Sequence, residues 1–156
     1  MSAKINSNMI GHISILVPCR LSSRDIVGAM VHQICERLEA AGEPEGFGYQ
    51  VISAFNEAFN NVITHGGKRA NRQDLLVMIE VTEQQLIIEM QDDGESFKMK
   101  EETPNLDQLR ESGMGLFIMR SFMDQLDYKP RSKNNANQLR MVRNLVQAKP
   151  SSSLCI

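Results

Sequence analysis

The chain has 156 residues, 42% of them hydrophobic and 23% charged, and a net charge of −2. That length suits one domain with a real core, and the composition is globular rather than disordered. The lack of a basic excess argues against nucleic-acid binding, and apolar runs such as "HISILVP" and "LLVMIEV" are too short to span a membrane.

The N-terminus, "MSAKINSNMIGH", has one lysine and no apolar h-region, so no signal peptide is expected and the cytoplasm is the expected location. Cys19, Cys35 and Cys155 are odd in number and form no CxxC, and His12, His32 and His65 add no ligand spacing to them. Free thiols in a reducing compartment follow, rather than disulfides or a zinc site. Ten methionines and no tryptophan suggest an adaptable core.

In chain order, residues 12–17, "HISILV", read as a strand closed by Pro18. A helix follows, with Ser22 or Ser23 as cap and Ile26, Ala29, Met30, Ile34 and Leu38 as its apolar stripe, ended by Gly42 and Pro44. After the "EPEGFG" loop, a second helix runs from about Tyr49 to His65 and stops at Gly66-Gly67. A polar link, "KRANRQ", leads into "DLLVMIEVT" and "QLIIEMQDD", a hairpin turning at "EQ". From Gly94 to Ser112 the pattern lapses into a long charged loop, with one helical turn expected near "LDQLR". "GMGLFIMRSFMDQL" restores a helical face through Leu116, Met119, Phe122 and Met123. "QLDYKP" and "QLRMVRNLV", joined by "RSKNNAN", read as a closing strand pair. This order predicts an α+β two-layer sandwich, a mixed, mostly antiparallel sheet with helices on one face. Residues 1–148 are expected to form the single domain, with 149–156 a flexible C-terminal tail.

Three short stretches carry chemistry. In "EAFNN", Glu57 and Asn61 lie four apart on one helix face; a carboxylate there can take a proton and an amide oxygen can bind a hard cation. In "DDG", a strand-end carboxylate can accept an amino N–H, and Gly94 lets a ring approach the backbone. In "SGMG", residues 112–115, backbone N–H groups entering a helix can hold phosphate oxygens. Taken singly, each has an ordinary explanation: a polar helix face, a turn, a capped loop.

Their order and spacing together resemble the GHKL ATPase superfamily, with its Bergerat ATP-binding fold. Within it, the chain looks like the small anti-sigma-factor serine/threonine kinases of bacterial partner switching. "NEAFNNVITHG", "DDGESF" and "SGMGLFIMRSFMD" carry the resemblance across about residues 50–125, and the flanking strands extend it over nearly the whole chain. The resemblance implies ATP and Mg²⁺ as cofactors. It implies Glu57 as the catalytic base and Asn61 as the Mg²⁺ ligand beside the phosphates. Asp92, rather than Asp93, would accept the adenine amino group, with Gly94 making room for the base. Ser112, Gly113, Met114 and Gly115 would line the phosphates, and residues 95–112 would form a lid whose Lys98, Lys100 and Arg110 could reach the γ-phosphate. Phosphoryl transfer needs both a metal against the phosphate charge and a carboxylate for the hydroxyl proton, and these two residues sit one helical turn apart.

The chain departs from the family pattern at three places. "DDGES" lacks a second glycine, Glu111 precedes Ser112 where some relatives carry arginine, and "NANQ" stands where relatives often have Gly-Thr. The implied function is an Mg·ATP-dependent kinase that phosphorylates a small STAS-type antagonist and holds a sigma factor, as a homodimer, with no nucleic-acid or membrane partner. The alternative is a nucleotide-binding module of the same fold without efficient phosphotransfer. His65 matches a histidine common at that place, and helix-end packing or capping explains it equally well.

Overall fold

The computed structural model of the chain describes residues 9–65, 74–97 and 111–146. Strand β1 (Met9–Pro18) leads into helices α1 (Leu21–Ala40) and α2 (Phe47–His65). Strands β2 (Asp74–Thr82) and β3 (Gln85–Asp92), helix α3 (Glu111–Phe122), and strands β4 (Gln125–Lys129) and β5 (Asn137–Asn144) complete the described elements. The strands form a sheet in the order β1-β2-β3-β5-β4, and among the described residues every neighbouring pair is antiparallel. The expected mixed sheet is thus antiparallel throughout its described part.

Strict alternation explains which face is buried. Leu75, Val77, Ile79 and Val81 of β2 point inward, as do Leu86, Ile88 and Met90 of β3. Register joins them in rungs: Ile13, Ile79, Ile88, Met141 and Leu126 run side by side across the sheet. The helices cover this face, and α2 lies in the middle, touching both α1 and α3. Phe47, Phe55 and Phe59 of α2 are fully buried, with the Phe55 and Phe59 rings 5.7 Å apart. Truncating either of those two rings to alanine removes ~3–5 kcal/mol.

Several boundaries differ from expectation. The first strand is longer than residues 12–17, because Met9 and Gly11 still pair with β2. Neither Ser22 nor Ser23 caps α1: the cap is Arg20, without a side-chain bond, and its carbonyl accepts the N–H of Ser23 and Arg24. The buried stripe of α1 is Ser23, Val27, Val31, Ile34, Cys35 and Leu38, whereas Ile26 is 62% exposed. Ile26-Val27 and Met30-Val31 are adjacent apolar pairs, so helical periodicity fits either member and contact with α2 decides between them.

Helix α2 starts two residues before Tyr49 because α1 caps it: Glu39 Oε1 accepts the Gly48 N–H at 2.7 Å. Gly42 (φ 126°) and Gly46 (φ 88°) supply the left-handed residues that turn the chain between the two helices. Thr82 shapes the β2–β3 turn, its Oγ1 accepting the N–H of Gln84 and Gln85. Helix α3 ends at Phe122 rather than Leu126, since Asp124 N–H already donates to the Val142 carbonyl of β5. The Gly66-Gly67 stop, the 68–73 link, the turn near 106–110, Cys155 and the tail lie outside the described residues. Cys19 and Cys35 are buried free thiols, and burial pushes Cys35 up to about 12. No helix among the described residues is long and apolar enough to cross a membrane.

One side chain ties three elements together. Arg143, at the inward-facing end of β5, donates to the Phe122 carbonyl at 2.6 Å and to Gln50 Oε1 at 2.7 Å. Its guanidinium lies 5.7 Å from the Phe47 ring centroid. It thereby closes the C-terminus of α3 and the N-terminus of α2 onto the sheet. Arg143→Met keeps the stem and loses these bonds, so unfolding in urea is expected about 2 kcal/mol earlier with an unchanged slope.

Candidate functional site

The inward side of α2 is filled by its phenylalanines, which fixes where its polar row can point. Glu57 and Asn61 are half-buried and lie one turn apart. The neighbouring Asn60 is engaged elsewhere, accepting from Arg24 of α1 at 2.9 Å. Glu57 meets α3 at Gly115: a Cβ built there would lie 2.6 Å from Glu57 Oε2 and 3.7 Å from its Cβ. Only a glycine lets the carboxylate lie this close to the α3 backbone. A Cβ at Gly113 would meet nothing within 4 Å among the described residues.

Helix α3 begins at Glu111, so Ser112, Gly113, Met114 and Gly115 lie inside its first turns instead of preceding them. The expected helix entry at Ser112 thus lies within the described helix. The first four N–H groups of a helix have no partner within it, and the dipole adds positive character there. Glu57 therefore sits against the first described turns of α3.

The second half of the site is built at the end of β3. Asp92 is only 8% exposed, and its Oδ1 accepts the Gly94 N–H at 2.8 Å and Asn137 Nδ2 at 3.1 Å. Burial raises its pKa above the usual aspartate range, with Asp93 adding to the effect; the Asn137 and Gly94 donors and Arg131 oppose it. Cys19, just past β1, is pushed up to about 11 by burial and then by the charge of the Asp92 carboxylate. Asp93 is exposed, and its carbonyl accepts from Arg131 Nη1 at 2.7 Å.

A column of rings links the two halves. Phe97 stacks on Tyr128 of β4 at 4.0 Å and on His65 at 5.5 Å. The Tyr128 hydroxyl accepts the Phe97 N–H at 3.2 Å and donates to Asn137 Oδ1 at 3.1 Å. His65, unassigned by sequence, thus packs the end of α2 against the segment that leaves Asp92.

The structure brings Glu57 to Gly115 and Asp92 to Gly94, and places Asn61 one turn beyond Glu57. Lys98, Lys100 and Arg110 lie outside the described residues. Sequence reasoning missed Asn137, Tyr128, Ser96 and Arg131. The available clue was that "NANQ" enters the last strand opposite "QDD", where Asn137 pairs with Asp92 in register.

Similarity to known proteins points the same way. A family model described as a histidine kinase-like ATPase domain matches residues 23–143. The serine-protein kinase RsbW of Bacillus velezensis is 25% identical over 139 residues, covering 81% of this chain and 82% of that protein. The serine-protein kinase RsbW of Staphylococcus aureus strain MRSA252 is 31% identical over 83 residues, 47% of this chain. That match spans about half, 52%, of the Staphylococcus protein. The crystal structure of the RsbU and RsbW domains of Rv1364c from Mycobacterium tuberculosis shares the fold, with a TM-score of 0.59 at 12% identity over 90% of this chain and 34% of that one. The chain belongs to the histidine kinase-like ATPase domain family, within which its resemblance runs to the anti-sigma-factor kinases of the RsbW type.

Proposed function

We propose that the protein is an Mg·ATP-dependent serine/threonine kinase that phosphorylates a small STAS-type antagonist and acts as an anti-sigma factor. The observation that carries this reading is the approach of the Glu57 carboxylate to α3 at Gly115, which sets a proton acceptor against the Ser-Gly-Met-Gly stretch. In this reading Asp92 accepts the amino group of adenine and Gly94 gives the ring room. Ser112, Gly113, Met114 and Gly115, at the start of the described α3, are proposed to line the phosphates, with the earliest of their amides donating to phosphate oxygens. Glu57 takes the proton from the acceptor hydroxyl. Lys98 and Arg110 are proposed to neutralise the terminal phosphate.

Among the described residues no group of three or more His, Cys, Asp or Glu could cage a metal. The Asn61 amide oxygen alone fits a Mg²⁺ that takes most of its ligands from phosphates and water. Such an ion would offset phosphate charge during transfer. Homodimerisation, a cytoplasmic location and sigma-factor binding belong to the same proposal. A second reading, a nucleotide-binding partner switch with slow transfer, draws support from the sequence, where Glu111 precedes Ser112 in place of the arginine of some relatives. An acidic residue next to a phosphate site adds like charge to it.

Labelled ATP, Mg²⁺ and candidate antagonist proteins test both readings: label on serine or threonine supports the kinase, and nucleotide binding without transfer supports the switch. Glu57→Gln is expected to keep ATP affinity and slow transfer by about 10²–10⁴-fold; transfer at the wild-type rate would remove Glu57 as the base. Gly115→Ala suits a helix better by ~1 kcal/mol, yet its methyl displaces the carboxylate. Thermal stability should therefore hold or rise while transfer falls about tenfold. Asp92→Asn removes a buried charge and can still accept from Gly94 and Asn137, so its melting temperature should not drop. Its ATP affinity should fall by about 10–100-fold, with poorer discrimination against GTP, read by calorimetry.

A further inference from the structure

Asn137 is 1% exposed and stands directly across from Asp92 in the β3–β5 register. Its amide is saturated. Nδ2 donates to Asp92 Oδ1 at 3.1 Å and to the Gly94 carbonyl at 3.0 Å. Oδ1 accepts from Ser96 Oγ at 2.6 Å, Tyr128 OH at 3.1 Å and Arg131 N–H at 2.7 Å. Flipping the amide would set its NH₂ against the Arg131 N–H and its oxygen against the Asp92 carboxylate, so the five partners fix one orientation.

The result is an asymmetric carboxylate. Asp92 Oδ1 receives both protein donors, whereas Oδ2 has no hydrogen-bond partner among the described residues. We propose that Asn137 is a positioning and specificity-determining residue of the nucleotide site, holding the Asp92 carboxylate in one orientation so that Oδ2 accepts an amino group on the base. This rests on the nucleotide reading above. Asn137 has no donor left for the base and acts through Asp92 alone. A base with an oxo group in place of the amino group meets an acceptor facing an acceptor, which a freely turning carboxyl would tolerate better.

The Asn137 and Gly94 donors also keep the buried Asp92 ionised to lower pH than burial alone would allow. The other charged or titratable groups around it are Asp93 beside it, Arg131 from the β4–β5 link, Tyr128 of β4 and Cys19 beyond β1. Asn137→Ala removes the one side-chain donor to Asp92, so Asp92 takes up its proton at higher pH and the acid limb of nucleotide binding moves upward.

The test is calorimetric titration of ATP and GTP, with Mg²⁺, into the whole chain from mildly acidic to mildly basic pH. In Asn137→Ala, ATP affinity is expected to fall about tenfold at neutral pH, equal to ~1.4 kcal/mol. GTP affinity should change by less than about threefold, and the acid limb should rise by about one unit. Asn137→Asp keeps the side-chain volume and the acceptor for Tyr128, Ser96 and Arg131 but sets a second carboxyl against Asp92, so the buried pair holds a proton to higher pH. It should give the same changes, larger, and it carries the test if the alanine variant does not fold. A folded variant of either kind with wild-type ATP affinity, ATP/GTP ratio and acid limb overturns the role of Asn137. A wild-type chain without ATP affinity overturns the nucleotide reading, and the proposal with it.

Discussion

A helix that buries three phenylalanines along one side cannot turn its remaining face away from its neighbours. In α2, Phe47, Phe55 and Phe59 are locked into the core, which leaves the row through Glu57, Asn61 and His65 at the boundary with α3 and the β3 exit. The rest of the site depends on that orientation. Glu57 reaches the α3 backbone because Gly115 has no side chain to keep it out, and Arg143 holds the adjoining helix ends on the sheet. Packing energy on one side of α2 is thus converted into placement on the other.

The β3 end solves a different problem. A carboxylate nearly removed from water is costly unless it is hydrogen-bonded, and Asp92 has two donors on one oxygen. Its raised pKa shows that these donors do not fully offset burial. A binding site can use such residual cost, because a ligand that donates to the remaining oxygen recovers part of it. The ring column from His65 through Phe97 to Tyr128 connects this buried polar cluster to α2.

Much of the fold was legible in the chain. Alternation marked β2 and β3 nearly to the residue, because a sheet with one buried face forces inward and outward positions to alternate. The α1 stripe was right at Ile34 and Leu38 but one residue off at Ile26 and Met30, since adjacent apolar pairs satisfy the helical repeat twice. Helix α3 was read from Gly113, two residues after its described start at Glu111, because glycine and a proline-containing approach suppress helix propensity.

By itself the sequence determined the α+β layering, the pairing of β2 with β3, and the spacing of Glu57, Asn61, Asp92 and the Ser-Gly-Met-Gly stretch. Each follows from periods of two and 3.6 or from a short motif, which are local properties of the chain. Tertiary structure alone decided that the Glu57 carboxylate lies where a side chain at Gly115 would displace it, and that His65 packs on Phe97. It also placed Asn137, 45 residues from Asp92, to complete the carboxylate's hydrogen bonds. Those contacts depend on strand register and helix docking, which are settled by the whole core and leave no local pattern.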